Sequence, residues 1–143
     1  MDNETQMLIH AVKAIQYRFI KATNCSKEHF GEYKVGPHTR TPNEITNHIY
    51  DLVNKTACRI KEGHFNCPAP QLLDFSREKE RLLSGLEELI YIINTSVMDF
   101  ELWKKLLQGP VLDIATHIGQ IAMLNGLHGN KIPGESYFDA ILT

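Results

Sequence analysis

Four long stretches of the chain place apolar residues every three or four positions, and no segment sustains an alternation of apolar and polar residues. One face of a helix is met at i, i+3, i+4 and i+7, and one face of a strand at every second residue. The pattern therefore predicts helices and leaves β-structure minor. Residues 6–20 carry Met7, Leu8, Val12, Ile15, Phe19 and Ile20 in helical register. Residues 42–62 carry Ile45, Ile49, Leu52, Val53 and Ile60. Residues 74–94 carry Phe75, Leu82, Leu83, Leu86, Leu89, Ile90 and Ile93, with the charged run 77–81 expected as a solvated face. The fourth stretch, 111–127, centres on Ile114, Ile118 and Ile121.

The punctuation agrees. Thr41-Pro42-Asn43-Glu44 combines a capping hydroxyl, a proline suited to the first helical position and the glutamate of a capping box. Arg59 and Lys61 complement the helix dipole before Gly63 stops the helix. His64 to Pro70 holds two prolines and reads as a turn. Ser96-Val97-Met98-Asp99 is a second capping signature, opening a shorter helix through Leu107. Gly109-Pro110 is expected to break that helix and start the last one, which ends at His128-Gly129-Asn130. Residues 24–40 read as a long loop of the kind that often lines a site. In the tail, Tyr137, Phe138, Ile141 and Leu142 are expected as apolar anchors laid back on the body. Four long helices and one short insert predict an all-α, antiparallel four-helix bundle with a short extra helix before the last long one, a single domain over residues 1–143.

Charge and cysteine usage narrow the function. The 15 basic and 17 acidic residues give a net charge of -2, so nucleic-acid binding through a basic face is not expected. The acidic start lacks the basic and apolar regions of a signal peptide, and no apolar run approaches the roughly 18 residues of a membrane span. Three widely spaced cysteines without a Cys-x-x-Cys pair speak against thiolate zinc and dithiol motifs and point to a cytoplasmic location.

Seven histidines stand out, because imidazole is the commonest metal ligand and titrates near neutrality. Residues four apart on a helix share a face, with Cβ atoms about 6 Å apart. Two acid–histidine pairs have that spacing, Glu44/His48 and Asp113/His117, on two different long helices. Packed face to face, they offer two imidazoles and one or two carboxylates, leaving open positions on a divalent ion. Plainer roles stand beside these. Glu44 completes the capping box, Asp113 suits a first helical turn, and each histidine could be a hydrogen-bonded core residue. His10 lies near the apolar stripe of the first helix and could reach the interior; His128 suits a C-terminal dipole partner. His29, His38 and His64 fall in loops, with His38 kept as a candidate substrate contact because its loop leads into the helix of His48.

The segment Gly109-Pro110-Val111-Leu112-Asp113-Ile114-Ala115-Thr116-His117-Ile118-Gly119-Gln120-Ile121-Ala122-Met123-Leu124 resembles the last-helix motif of the DinB/YfiT-like superfamily of metalloenzymes. The stretch from Thr41 to Leu52 is similar to that family's other ligand helix, and Ile132-Pro133-Gly134-Glu135-Ser136-Tyr137-Phe138 resembles the tail of one branch. The resemblance implies a bundle with a divalent metal at one end, zinc or nickel, commonly in a homodimer. The family's usual ligands are one His from the second helix and a His-x-x-x-His pair from the last. His48 matches the first and His117 the final one, while Asp113 departs from the pattern by standing where the remaining His would be. Related thiol-dependent isomerases carry a Glu there; Asp is one methylene shorter, so the helix must come closer to the ion or a water must bridge. Gln120 and Asn47, with Glu44, are the residues expected to orient ligands or substrate.

The function implied is that of a metal-dependent transferase or hydrolase acting on a small molecule. His48, Asp113 and His117 would hold the ion, and a thiolate from a low-molecular-weight thiol such as mycothiol or bacillithiol, or a hydroxide, would attack an electrophile. Two alternatives stay open. One is a degenerate, non-catalytic dimeric bundle acting in small-molecule binding or stress, motivated by Asp113. The other is a metal-free pocket lined by residues 24–40, with His48 and His117 as acid and base.

Overall fold

The first three long helices begin where a side chain can satisfy their orphan N–H groups. A computed structural model describes residues 2–143, and among them all regular structure is helical. Helix α1 (Asn3–Ala22) starts with the Asp2 carboxylate accepting the Thr5 N–H at 2.7 Å. Helix α2 (Pro42–Glu62) carries the expected capping box: Thr41 Oγ1 accepts the Glu44 N–H and Glu44 Oε1 accepts the Thr41 N–H. Helix α3 (Phe75–Thr95) is capped by Asp74, and the short α4 (Phe100–Leu106) by Asp99. Ser96 does not cap α4 as expected; it closes the end of α3. Helix α5 (Leu112–Leu127) completes the set.

The four long helices form a bundle. α3 packs on α1 and α2, and α5 packs on the same two from the other side. The core lies between them, built from Val12, Ile15 and Phe19 of α1, Ile45, Ile49 and Val53 of α2, Leu82, Leu86, Leu89 and Ile93 of α3, and Ile114, Ile118 and Ile121 of α5. Each such side chain contributes roughly 1.5–3 kcal/mol on leaving water. Buried Asn125 ties the ends of α5 and α1, donating to the Ala22 carbonyl at 3.0 Å. No helix among the described residues is long and apolar enough to cross a membrane.

Three expectations are corrected. Gly109-Pro110 does not break the helix. Residues Leu107–Val111 form a wide π-helical turn that carries the chain from α4 into α5 without interruption, with Pro110 inside it. Proline removes a donor and crowds the preceding turn, and the wider i→i+5 winding accommodates both. The run 77–81 is not uniformly solvated, since Glu78 is fully buried. In the tail, Phe138 and Ile141 stand 96% and 85% exposed, so they anchor nothing. The rest of the tail does lie on the body: Tyr137 meets Tyr17 edge-on at 6.3 Å and Leu142 is half-buried, while Glu135 accepts from Tyr17 Oη at 2.7 Å and pairs with Lys21, and the Arg18 guanidinium sits 4.0 Å over the Tyr137 ring. His10 is exposed, as its plainer reading has it.

The 24–40 segment is also more than a loop. Phe30, 1% exposed, plugs the core and meets Phe75 edge to face at 5.3 Å. Gly31 beside it leaves no room for a side chain: a Cβ there would lie 2.3 Å from Asn43 Oδ1.

Candidate metal centre

Helices α2 and α5 are neighbours, and their facing surfaces bring two imidazoles together. His48 follows the buried Ile45 by three positions and precedes Ile49; His117 lies between the buried Ile114 and Ile118. Each is thus carried at the edge of an apolar stripe and is half-buried. Their ring centroids are 4.7 Å apart with planes at 84°.

Hydrogen bonding sets the tautomer of one ring. His117 Nδ1 lies 2.9 Å from Gln120 Oε1. An amide oxygen only accepts, so Nδ1 is the donor in this pair, and Nε2 is the nitrogen that the contact leaves open. The other ring is held neutral by its surroundings. Burial first, then the charges of Arg40 and His117, lower the pKa of His48 below its ordinary value, against the opposite pull of Asp51 and Asp113. A neutral imidazole is the ligating form.

The carboxylates are arranged less tightly. Asp113 sits one turn before His117, exposed, and close enough for its charge to act on His48. Among the described residues no hydrogen bond or ion pair fixes its carboxylate, and no three His, Cys, Asp or Glu side chains converge as a ready ligand set. Asp51, three residues after His48, is a carboxylate that pattern reading passed over. Its Oδ2 pairs with Lys55 at 2.5 Å, while its Oδ1 is buried with no hydrogen-bond partner. The signal was available, because residues three apart on a helix also share a face. The two imidazoles of α2 and α5 are in contact, and the exposed carboxylate of Asp113 and the half-buried one of Asp51 lie on the same two helices without completing a convergent ligand set among the described residues.

The expected helper residues divide. Gln120 is hydrogen-bonded to His117. Glu44 spends its carboxylate on the Thr41 cap. Asn47 faces α3 and the preceding linker, donating to the carbonyls of Pro70 and Gln71 and to Glu78 Oε2 at 3.2 to 3.3 Å. Of the remaining histidines, His29, His38 and His64 are exposed, and His128 packs its ring 4.8 Å from that of Tyr33. No protein-family model matches the chain, and no curated protein or solved structure matches it.

Proposed function

We propose that the chain is a DinB/YfiT-like antiparallel bundle, cytoplasmic and homodimeric, that works as a metal-dependent transferase or hydrolase on a small electrophile. The observation that carries the reading is the pair His48 and His117, two imidazoles from facing helices in ring contact, with His117 bonded to Gln120 and the charged form of His48 disfavoured by burial. They and Asp113 would hold a zinc or nickel ion. Such an ion lowers the pKa of a thiol or water and supplies a nucleophile near neutral pH. Gln120 keeps the His117 ring in its ligating tautomer, and the apolar neighbours Ile45, Ile49, Ile114 and Ile118 keep bulk water from one side of the pair. The dimer rests on the outer face of α5, where Leu112, Met123 and Leu127 are all more than half exposed.

Metal analysis of untagged protein, before and after incubation with zinc or nickel, tests the centre. One ion per chain is expected, lost in His48→Ala and in His117→Ala; no uptake of either ion refutes it. A thiol-by-electrophile screen with and without a chelator then tests turnover. The second reading, a degenerate binding bundle, is favoured by the aspartate at the ligand position. If Asp113→His creates metal binding that the native chain lacks, that reading holds. Sedimentation of Met123→Glu beside the native protein tests the dimer.

A further inference from the structure

The opposite end of α2 gathers a second group of reactive side chains. Cys58 lies roughly 15 Å along the helix axis from His48, at 1.5 Å per residue. Gly63 ends α2 in the left-handed region, at φ 85°, with its N–H on the Arg59 carbonyl, so the chain turns back over the helix it has just left. His64 then places Nδ1 3.8 Å from Cys58 Sγ and accepts the Asn66 N–H on the same nitrogen at 3.1 Å. Three residues past His64, the Cys67 N–H closes on the Phe65 carbonyl at 2.9 Å. That tight turn sets the Cys67 thiol beside the Cys58 thiol, close enough for the one to act on the other. Both are half-buried, whereas Cys25 is exposed and far along the chain. Cys58 also borders a cleft of about 200 Å³ lined by residues of α2 and α3, among them Tyr50, Lys61 and Glu88.

We propose that Cys58 and Cys67 form a hydroperoxide-reactive dithiol that closes into an intramolecular disulfide. Because His64 Nδ1 accepts the Asn66 N–H, that nitrogen holds a lone pair, and the Cys58 S–H is the donor toward it. Burial, followed by the neighbouring Cys67, pushes the Cys58 thiol up and keeps it protonated. The first attack therefore falls to Cys67. Its sulfur takes one peroxide oxygen, the O–O bond breaks, and a water leaves behind a Cys67 sulfenic acid. The Cys58 sulfur then attacks the Cys67 sulfur. The S–S bond forms, the S–O bond breaks, and the departing hydroxyl takes the Cys58 proton as a second water. Two thiols are oxidised by two electrons and hydrogen peroxide is reduced to two waters. The new bond pins the start of the α2–α3 linker to α2, complementing the hold that Asn47 has on its far end at Pro70 and Gln71. None of His48, Asp113 and His117 takes part, so the outcome is independent of metal loading.

The test treats the reduced full chain with hydrogen peroxide and counts thiols after denaturation. The expected result is a fall from three free thiols to one, a loss of about 2 Da per chain, and a Cys58–Cys67 cross-linked peptide that reductant reverses. Cys58→Ser should leave Cys67 as a sulfenic acid that dimedone traps, while Cys67→Ser should leave Cys58 unmodified at the same dose. Three surviving thiols, a link through Cys25, or over-oxidation of Cys67 without a link to Cys58 overturns the proposal. Mapping of the unmutated chain decides the matter even if a variant fails to fold.

Discussion

Removing the Glu78 carboxylate should destabilise the bundle more than any other single polar substitution. Glu78 has no exposed surface, yet its side chain binds three separate parts of the fold. It accepts from Arg81 Nη2 at 2.6 Å, from the Leu73 N–H at 2.8 Å and from Asn47 Nδ2 at 3.2 Å. Glu78→Ala would leave a guanidinium and two neutral donors without their acceptor. Breaking a buried ion pair on one side costs about 3–5 kcal/mol, and each stranded neutral donor adds about 1 kcal/mol if it stays dry. The Arg81 side chain is 22% exposed, so water recovers part of its loss, and we expect about 3–4 kcal/mol in total. For a chain of this size that is roughly a 10 °C fall in Tm. Glu78→Gln keeps the shape but sets an amide N–H₂ among donors, and should cost about half as much. Urea and thermal unfolding followed by circular dichroism measure both. A cost below about 1 kcal/mol for Glu78→Ala would refute the reasoning, since it would mean that the cluster is solvated or that its donors find other partners.

Two further outcomes follow from particular contacts. Phe30→Ala should cost about 3–5 kcal/mol, the range for a deleted core aromatic, and hydrogen exchange should show residues 24–40 losing protection before the helices do. In metal-free protein the His48 ring should titrate below its ordinary value by NMR, because burial disfavours the charged form. The sign follows from that: the fold gains nothing from protonation, so stability is complete above pH about 6.5 and falls as pH drops through the lowered folded value. His48→Gln should flatten that slope, and an unchanged slope would assign it to another group.

Much of the architecture was legible because periodicity and caps are local. The 42–62 helix could be read at both ends, since Thr41, Pro42 and Glu44 mark its start and Gly63 its stop. What escaped was set by contacts remote in sequence. Phe30 is a single aromatic among polar neighbours, and only the packing of Phe75 and His128 around it shows that it belongs to the core. Glu78 sat inside a charged run, although its spacing to Leu82, Leu86, Leu89 and Ile93 puts it on the buried stripe. At the candidate centre, spacing points to His48 and His117 and also places Asp51 on the face of His48, but that one Asp51 oxygen is buried without a partner depends on packing alone. Pro110 was taken as a terminator because its local effect is disruptive, whereas Trp103, Leu106, Val111 and Ile114 are buried on both sides of it and hold the helix together.

That wide turn has a consequence for how α5 can vary. A π-helical turn is equivalent to one surplus residue in an α-helix, and one residue is about 100° of rotation about the axis. The turn at Leu107–Val111 therefore sets the phase between two anchors, Trp103 and Leu106 upstream and the Asp113–His117 face downstream. Deleting one residue from it would let the turn close as ordinary α-helix with the phase of α5 kept, whereas deleting one from the regular helix beyond it would rotate everything downstream by about 100°. Substitutions along α5 are a graded way to change this protein, whereas a single-residue deletion within α5 between Leu112 and His117, outside the turn that can absorb it, is a discrete one that puts Ile118 where His117 stands.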